Sequence, residues 1–550
     1  MKTPALALAI IALASACDAG NVKECPGMSQ CTCDADGGAC NPSRDGGVCP
    51  LLSCDVGTCV LSTDVGTSCP PLDAGSFPWQ PVDAGSAPRV DRFFTFGASG
   101  SDQVSAVAGG PSGETLLAGQ FSQTVSFDPD SPGQTHTAPA CAEGSLQSCG
   151  LFVSQWSAAG RLQWTTAYRG SAVGGLAVGS DGRVFVSVSR PSASGASEYG
   201  IVELGADGAL ASERFFGPGV WLGALATAGD DLLVAGNLRG TCDLDPGPGV
   251  DERTATTAAF VSRLGPLGEY RGSSIWGGPL VPPALASDES GATYVAGAFE
   301  GTIDLDPDGE GADVHSSGST STMHLPAAFL LKLGTAGQYL WGRSFATGTS
   351  MVLIAAVRSR AGRVWVAGMA GGRADYAPGD AIDRLPEEAE APYVTSASFL
   401  SSFDDAGARR WTRTFGYPYA QFGASSAAAS IAVDAEGGSL VAGVFSGLAV
   451  FRPTPETVLH ATSKAQGGQE AFLIRFGPEG QYRWSRTAGA DTSTSVAGAL
   501  LHQDGRIVVS GAMMGALHWF DPSSWFGEGV QPAQATITGH QPDGFILRMR

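Results

Sequence analysis

Tyr294-Val295-Ala296-Gly297-Ala298-Phe299-Glu300-Gly301-Thr302-Ile303-Asp304-Leu305-Asp306-Pro307 opens with a short apolar run and ends in an acidic, Pro-bearing turn. The run is too short, and too rich in β-branched and aromatic residues, for a helix, and it suits a strand buried on both faces. The same step recurs at Leu116-Leu117-Ala118-Gly119, Val184-Phe185-Val186-Ser187, Leu233-Val234-Ala235-Gly236, Trp365-Val366-Ala367-Gly368, Leu440-Val441-Ala442-Gly443 and Val508-Val509-Ser510-Gly511. With the opening stretch that makes seven copies. Each follows a shorter apolar segment and a Gly-bearing turn.

A third segment follows each copy: Leu151-Phe152-Val153, Gly200-Ile201-Val202, Ala259-Phe260-Val261, Ala328-Phe329-Leu330, Ser398-Phe399-Leu400, Ala471-Phe472-Leu473 and Gly544-Phe545-Ile546. In six copies a turn glycine then leads into a fourth segment, often carrying a Trp such as Trp164, Trp341, Trp411 or Trp484. The seventh copy has no fourth segment before Arg550, but Arg92-Phe93-Phe94-Thr95-Phe96-Gly97, ahead of the first copy, resembles Trp411-Thr412-Arg413-Thr414-Phe415-Gly416. A split unit is useful only if the array closes on itself. The expectation is therefore an all-β chain, a seven-bladed β-propeller over residues 89–550 closed by an N-terminal strand, whose ring leaves only short, protected strand edges. A ring satisfied in this way predicts a monomer.

These units, the opening stretch above all, resemble the bacterial β-propeller repeats called SBBP repeats, over about residues 89–550. The resemblance implies a fold and hardly any function. The second copy departs from the pattern, with Ser187-Val188 where Ala-Gly is expected.

Gly makes up 77 of 550 residues, about twice the usual share of roughly 7%, and charged residues are 15% against roughly 25% in an average domain. The net charge of −21 repels phosphate backbones and anionic headgroups, which makes nucleic acid a poor partner. No stretch reaches the roughly 18 uninterrupted apolar residues of a membrane span. Residues 1–16 read as an export signal, with Lys2 and the apolar run Ala5–Ala14. Leu13-Ala14-Ser15-Ala16-Cys17 resembles the lipobox of bacterial lipoproteins, which implies a lipid on Cys17 and attachment to the cell envelope, at the outer membrane or cell surface in preference to the inner membrane. Ala14-x-Ala16 also suits cleavage by an ordinary signal peptidase, so plain secretion is the alternative.

Residues 17–69 crowd eight further cysteines together: Cys25, Cys31, Cys33, Cys40, Cys49, Cys54, Cys59 and Cys69. An even number in an exported segment predicts a disulfide framework, with zinc the minority reading because no His lies there. Cys141 and Cys149 read as a local loop disulfide, and Cys242 as a buried free thiol. Residues 70–88, with Asp73-Ala74-Gly75-Ser76 echoed by Asp83-Ala84-Gly85-Ser86, read as a linker.

The turns joining first to second and third to fourth segments are terse, whereas most second-to-third connections are long and dissimilar. Long variable loops on a rigid frame are where binding usually sits, so a protein or glycan partner is expected on that face. Many of these loops open with aspartates. Asp304, Asp306 and Asp308 match the start of a calcium loop, although its twelfth position is His315; the competing reading is Asp-x-Asp-Pro turn chemistry. No linear catalytic motif occurs, so no catalytic residue is assigned. A binding or scaffolding lipoprotein is the leading function, and a carbohydrate- or peptide-processing enzyme on the same frame is the alternative.

Overall fold

The computed structural model describes residues 88–550 except for stretches inside connections, the longer ones being 141–149, 307–311, 319–324, 346–350, 376–383, 386–395, 419–424, 453–457, 462–468 and 520–541; before residue 88 it describes only four short strand segments. Every regular element among the described residues is a strand. The main strands form seven antiparallel sheets with the order first, second, third, fourth from the axis outward, with small two- and three-stranded sheets beside them. Blade 1 occupies 103–169, blade 2 172–215, blade 3 220–277, blade 4 284–345, blade 5 352–415 and blade 6 425–490. Blade 7 takes three strands from 493–549 and its outermost from Val90–Phe96. The first strand of each blade contacts those of its two neighbours, and the circuit returns from blade 7 to blade 1. The chain is a seven-bladed β-propeller.

Closure is a complete strand pairing. Phe96 lies opposite Gly544, Phe94 opposite Ile546 and Arg92 opposite Arg548. Arg89 and Arg550 exchange both backbone hydrogen bonds, at 2.7 and 2.8 Å. Phe93, Phe545, Leu547 and Met549 then share one apolar cluster with Leu473 of blade 6.

The recurring glycine of the second strands has a structural cause. In six blades it lies opposite the phenylalanine of the third strand: Gly119 with Phe152, Gly236 with Phe260, Gly297 with Phe329, Gly368 with Phe399, Gly443 with Phe472 and Gly511 with Phe545. On its other side the first strand bulges toward it, so that a Cβ on Gly119 would sit 2.0 Å from Gln103 O, and one on Gly511 1.9 Å from Ser495 O. Blade 2 inverts the arrangement. Its pairing puts Val188 opposite Gly200, so Gly200, and not Ile201, occupies the phenylalanine column. Ser187 gains a separate use there, accepting from Gly175 N at 2.6 Å and donating to Gly223 O of blade 3 at 2.9 Å.

Blades are latched to one another along the rim of short turns. The outer-strand tryptophans donate their indole N–H to the third-to-fourth turn of the next blade: Trp164 to Ala206 O, Trp341 to Asp405 O and Trp411 to Pro478 O, at 3.0–3.1 Å. Arginines follow the same rule. Arg343 reaches Gly407 O at 3.2 Å, Arg413 reaches Gly480 O at 2.7 Å, and Arg92, on the closing strand, reaches Gly160 O of blade 1 at 2.7 Å. Lys332 ties blade 4 to blade 5 from within: it is buried against Asp288, and Asp405 of the neighbouring turn bonds both Lys332 and Tyr294. Burial works against the Lys332 charge, but these partners outweigh it and raise its pKa.

The turn glycines serve this latch twice. Gly480 has φ +75°, and a Cβ there would lie 2.8 Å from the Trp411 ring; Gly505 has φ +82° with open space around it. Gly505→Ala is expected to cost roughly 1–2 kcal/mol from backbone strain alone. Gly480→Ala adds displacement of the ring and lowers the melting temperature further. Equal melting temperatures for the two variants would refute the role assigned to the latch.

Candidate functional site

The long second-to-third connections do not stand free on the rim. Those of blades 1, 3, 4 and 6 start with two apolar residues one apart, and these pairs are driven into the groove beside the preceding blade. Val125 and Phe127 pack against Phe96, Phe152 and Trp156. Ile303 and Leu305 pack with Trp276 and Phe329, and Trp276 Nε1 donates to Leu305 O at 3.2 Å. Ala449 and Phe451 do the same beside Phe415. Cys242, buried and free of disulfide, and Leu244 fill this place in blade 3. In blades 1, 4, 5 and 6 the connection is a small separate hairpin, and in blade 3 it extends the main strands. Blade 2 has only a short link and no such pair.

The aspartates at these hairpins are occupied by backbone amides. Asp304 Oδ1 accepts from Asp306 N at 3.0 Å and Asp313 N at 2.9 Å. Asp243 Oδ1 accepts from Asp245 N at 3.0 Å and Asp251 N at 2.8 Å. Asp128 Oδ1 accepts from Asp130 N at 2.9 Å. This is the geometry of turn capping. Asp308 lies outside the described residues, as do Cys17, Cys141, Cys149 and the side chains of the eight cysteines from Cys25 to Cys69. Among the described residues no three His, Cys, Asp or Glu side chains converge on a common point.

Two aspartates that the linear pattern did not single out complete the hairpins. Asp313 accepts from the Tyr339 hydroxyl and pairs with His315 Nε2 at 2.9 Å, and His315 Nδ1 meets Ser344 Oγ at 2.8 Å. Asp251 is placed alike, bonded to the Tyr270 hydroxyl and to Arg253 Nε at 2.8 Å. Burial first, then the hydrogen bond to the carboxylate, raises both tyrosine pKa values. The available signal was a Tyr two residues after the turn glycine, at Gly268-Glu269-Tyr270 and Gly337-Gln338-Tyr339.

On the same rim, at the closing seam, Asp543 opens the third strand of blade 7 and Asp102 precedes the first strand of blade 1. Both are buried, and both crowd the space above Gly97: a Cβ there would lie 2.1 Å from Asp543 Oδ1 and 3.2 Å from Asp102 Oδ2. Asp102 Oδ1 accepts from Ser122 N at 2.7 Å. Burial, then the Asp102 charge, pushes the Asp543 carboxyl up to about 6. The axis is different in character. The seven first strands carry only two ionisable side chains, Arg358 and Arg360, and neither carboxylate nor imidazole.

No protein-family model matches the chain, and no curated protein matches it. Among solved structures it is similar to the Dos1 propeller, with 7% identity over 84% of this chain and 96% of that one and a TM-score of 0.38. A protein of unknown function from Dyadobacter fermentans DSM 18053 gives 12% identity over 84% and 100%, with a TM-score of 0.34. A glucose dehydrogenase gives 11% identity over 68% and 95%, with a TM-score of 0.32. At such scores the assignment of the fold rests on the strand pairing itself.

Two outcomes follow from the carboxylates. A neutral Asp543 stabilises the folded ring fully below its unfolded pKa near 4, and that contribution is lost as pH rises through about 6. Asp543→Asn is expected to flatten the fall in stability between pH 5 and 7.5, a difference of roughly 1–1.5 kcal/mol; chemical denaturation at the two pH values measures it. Asp304→Ala, which strips two amides of their acceptor, is expected to cost about 1–2 kcal/mol, whereas calcium and chelator leave the wild-type melt unchanged. A calcium-dependent rise in melting temperature would return the hairpin to the metal reading.

Proposed function

We propose that this protein is a binding or scaffolding lipoprotein of the bacterial cell envelope, anchored through Cys17 and held off the membrane by the Cys-rich segment and the 70–88 linker. Its partner, a protein or a glycan, engages the face built by the second-to-third hairpins. The observation that carries this reading is the division of labour between the rims. The short-turn rim is consumed by blade-to-blade bonds from Trp164, Trp341, Trp411, Arg343, Arg413 and Arg92. The hairpins, once their apolar pairs are seated, still present variable tips, with Val250 73% and Val314 58% exposed. The SBBP-like repeats supply the frame, and the first strands, whose ionisable side chains are Arg358 and Arg360, carry no carboxylate or imidazole for acid–base work along the axis.

Anchoring is tested by Cys17→Ser, which is expected to move the protein from the detergent-extracted membrane fraction to the soluble fraction and to abolish incorporation of labelled palmitate. Retention of both would overturn the lipid anchor. Binding is tested on arrays of envelope glycans and purified envelope proteins. Val250→Ser with Val314→Ser is expected to weaken capture at least tenfold, and Leu267→Ser, an exposed position on the opposite rim, to leave it unchanged. The reverse pattern would move the partner to the short-turn rim.

A further inference from the structure

Strand register allows the seven blades to be compared position by position near the axis. The first-strand residue paired with the third residue before the recurrent glycine is Ala108, Ala177, Ala226, Ala286 and Ala432 in five blades and Leu500 in blade 7. In blade 5 it is Arg358, paired with Trp365. Five methyl side chains and an isobutyl side chain define an apolar layer around the ring, and one guanidinium is set into it.

That guanidinium has no carboxylate partner among the described residues. Its hydrogen bond runs from Nη1 to the carbonyl of Val357, one residue away, at 2.8 Å. Arg358 is partly buried, and desolvation pushes its pKa down. Three cations of other blades have carboxylate partners. Arg263 is paired with Asp231 at 2.9 Å, Lys332 with Asp288, and Arg475 with Asp434. A desolvated charge without a counter-ion is costly, and blades 1, 2, 3, 4 and 6 avoid it here with alanine.

A second donor lies next to it. Trp365 is 1% exposed, yet its Nε1 has no hydrogen-bond acceptor. As register partners, Arg358 and Trp365 project from the same side of blade 5, the side on which Trp365 packs against Ile431, Val441 and Ile474 of blade 6. The outer-strand tryptophans Trp164, Trp341 and Trp411, by contrast, all satisfy their indole N–H on a backbone carbonyl. A charged donor without a carboxylate partner and a neutral donor without any acceptor share one groove.

We infer that the inner end of the groove between blades 5 and 6 is an oxyanion-binding site, in which Arg358 and Trp365 Nε1 grip the oxygens of a carboxylate or phosphate group. Planar guanidinium and indole N–H together suit a ligand with two or more acceptor oxygens, and a low-dielectric wall strengthens both bonds. The site is independent of the hairpin face and would serve a small acidic ligand near the axis.

The test is calorimetric titration of the full chain with sodium phosphate and, separately, sodium acetate, at constant ionic strength set by chloride, with melting curves alongside. Wild type is expected to bind at least one of the two saturably, the preferred ion telling phosphate from carboxylate. Arg358→Ala, which installs the residue of five other blades, is expected to fold, to melt at or above the wild-type temperature, and to lose the binding heat. Trp365→Phe is expected to weaken affinity several-fold, and Arg358→Lys, which keeps charge but loses the planar fork, to weaken it without abolishing it. Phosphate also stabilises proteins by exclusion from their surface, so a melting response shared equally by wild type and Arg358→Ala would overturn the site. Absence of saturable heat with both ions in wild type would do so as well.

Discussion

The pairing of Val90–Phe96 with Asp543–Met549 is the constraint on which the rest depends. A propeller blade buries both its faces, so each needs a neighbour, and a linear array of seven would leave two faces and two strand edges exposed. Building the last blade from both ends of the array removes those edges with backbone hydrogen bonds and apolar packing together. It also fixes the circumference. Arg92 can reach Gly160 O of blade 1, and Phe96 can pack on Phe127 and Phe152, only when the closing strand is in register.

Closure then propagates as a repeated local solution. Third-strand phenylalanines cover second-strand glycines, first strands bulge into the space the glycines leave, and outer-strand Trp or Arg side chains hook the next turn. Because each hook crosses a blade boundary, the blades share stability with their neighbours around the ring. At the seam, Asp102 and Asp543 crowd together, and a proton on Asp543 relieves their repulsion.

Much of this was legible in the chain. A glycine at a fixed place in an otherwise β-branched buried strand demands a reason, and its sixfold return with a phenylalanine in the next segment, joined by the variant second copy, gave the blade count. The homology of Arg92–Gly97 with the fifth copy gave the closure. What stayed hidden depends on neighbours far away in sequence. Val125 with Phe127, or Ile303 with Leu305, read as parts of variable loops until the groove that receives them is known. The recurring tryptophans of the fourth segments show no partner in the sequence, whereas the indole N–H groups of Trp164, Trp341 and Trp411 serve the next blade. Blade 2 misled by one residue because Val188 and Gly200 exchange the large and small roles of the column. Arg358 stands out only once the first-strand bulges are placed, since they shift the apparent alignment of the alanine column.

The most direct measurement of the closed ring is amide hydrogen exchange along the closing strand. The account predicts that amides of Val90–Phe96 are as protected as those of Asp543–Met549 and the central strands of blade 4, all released in one global opening. Exchange of Val90–Phe96 orders of magnitude faster than that of Asp543–Met549, with blade 4 still protected, would contradict it, because the ring would then stand without its seam.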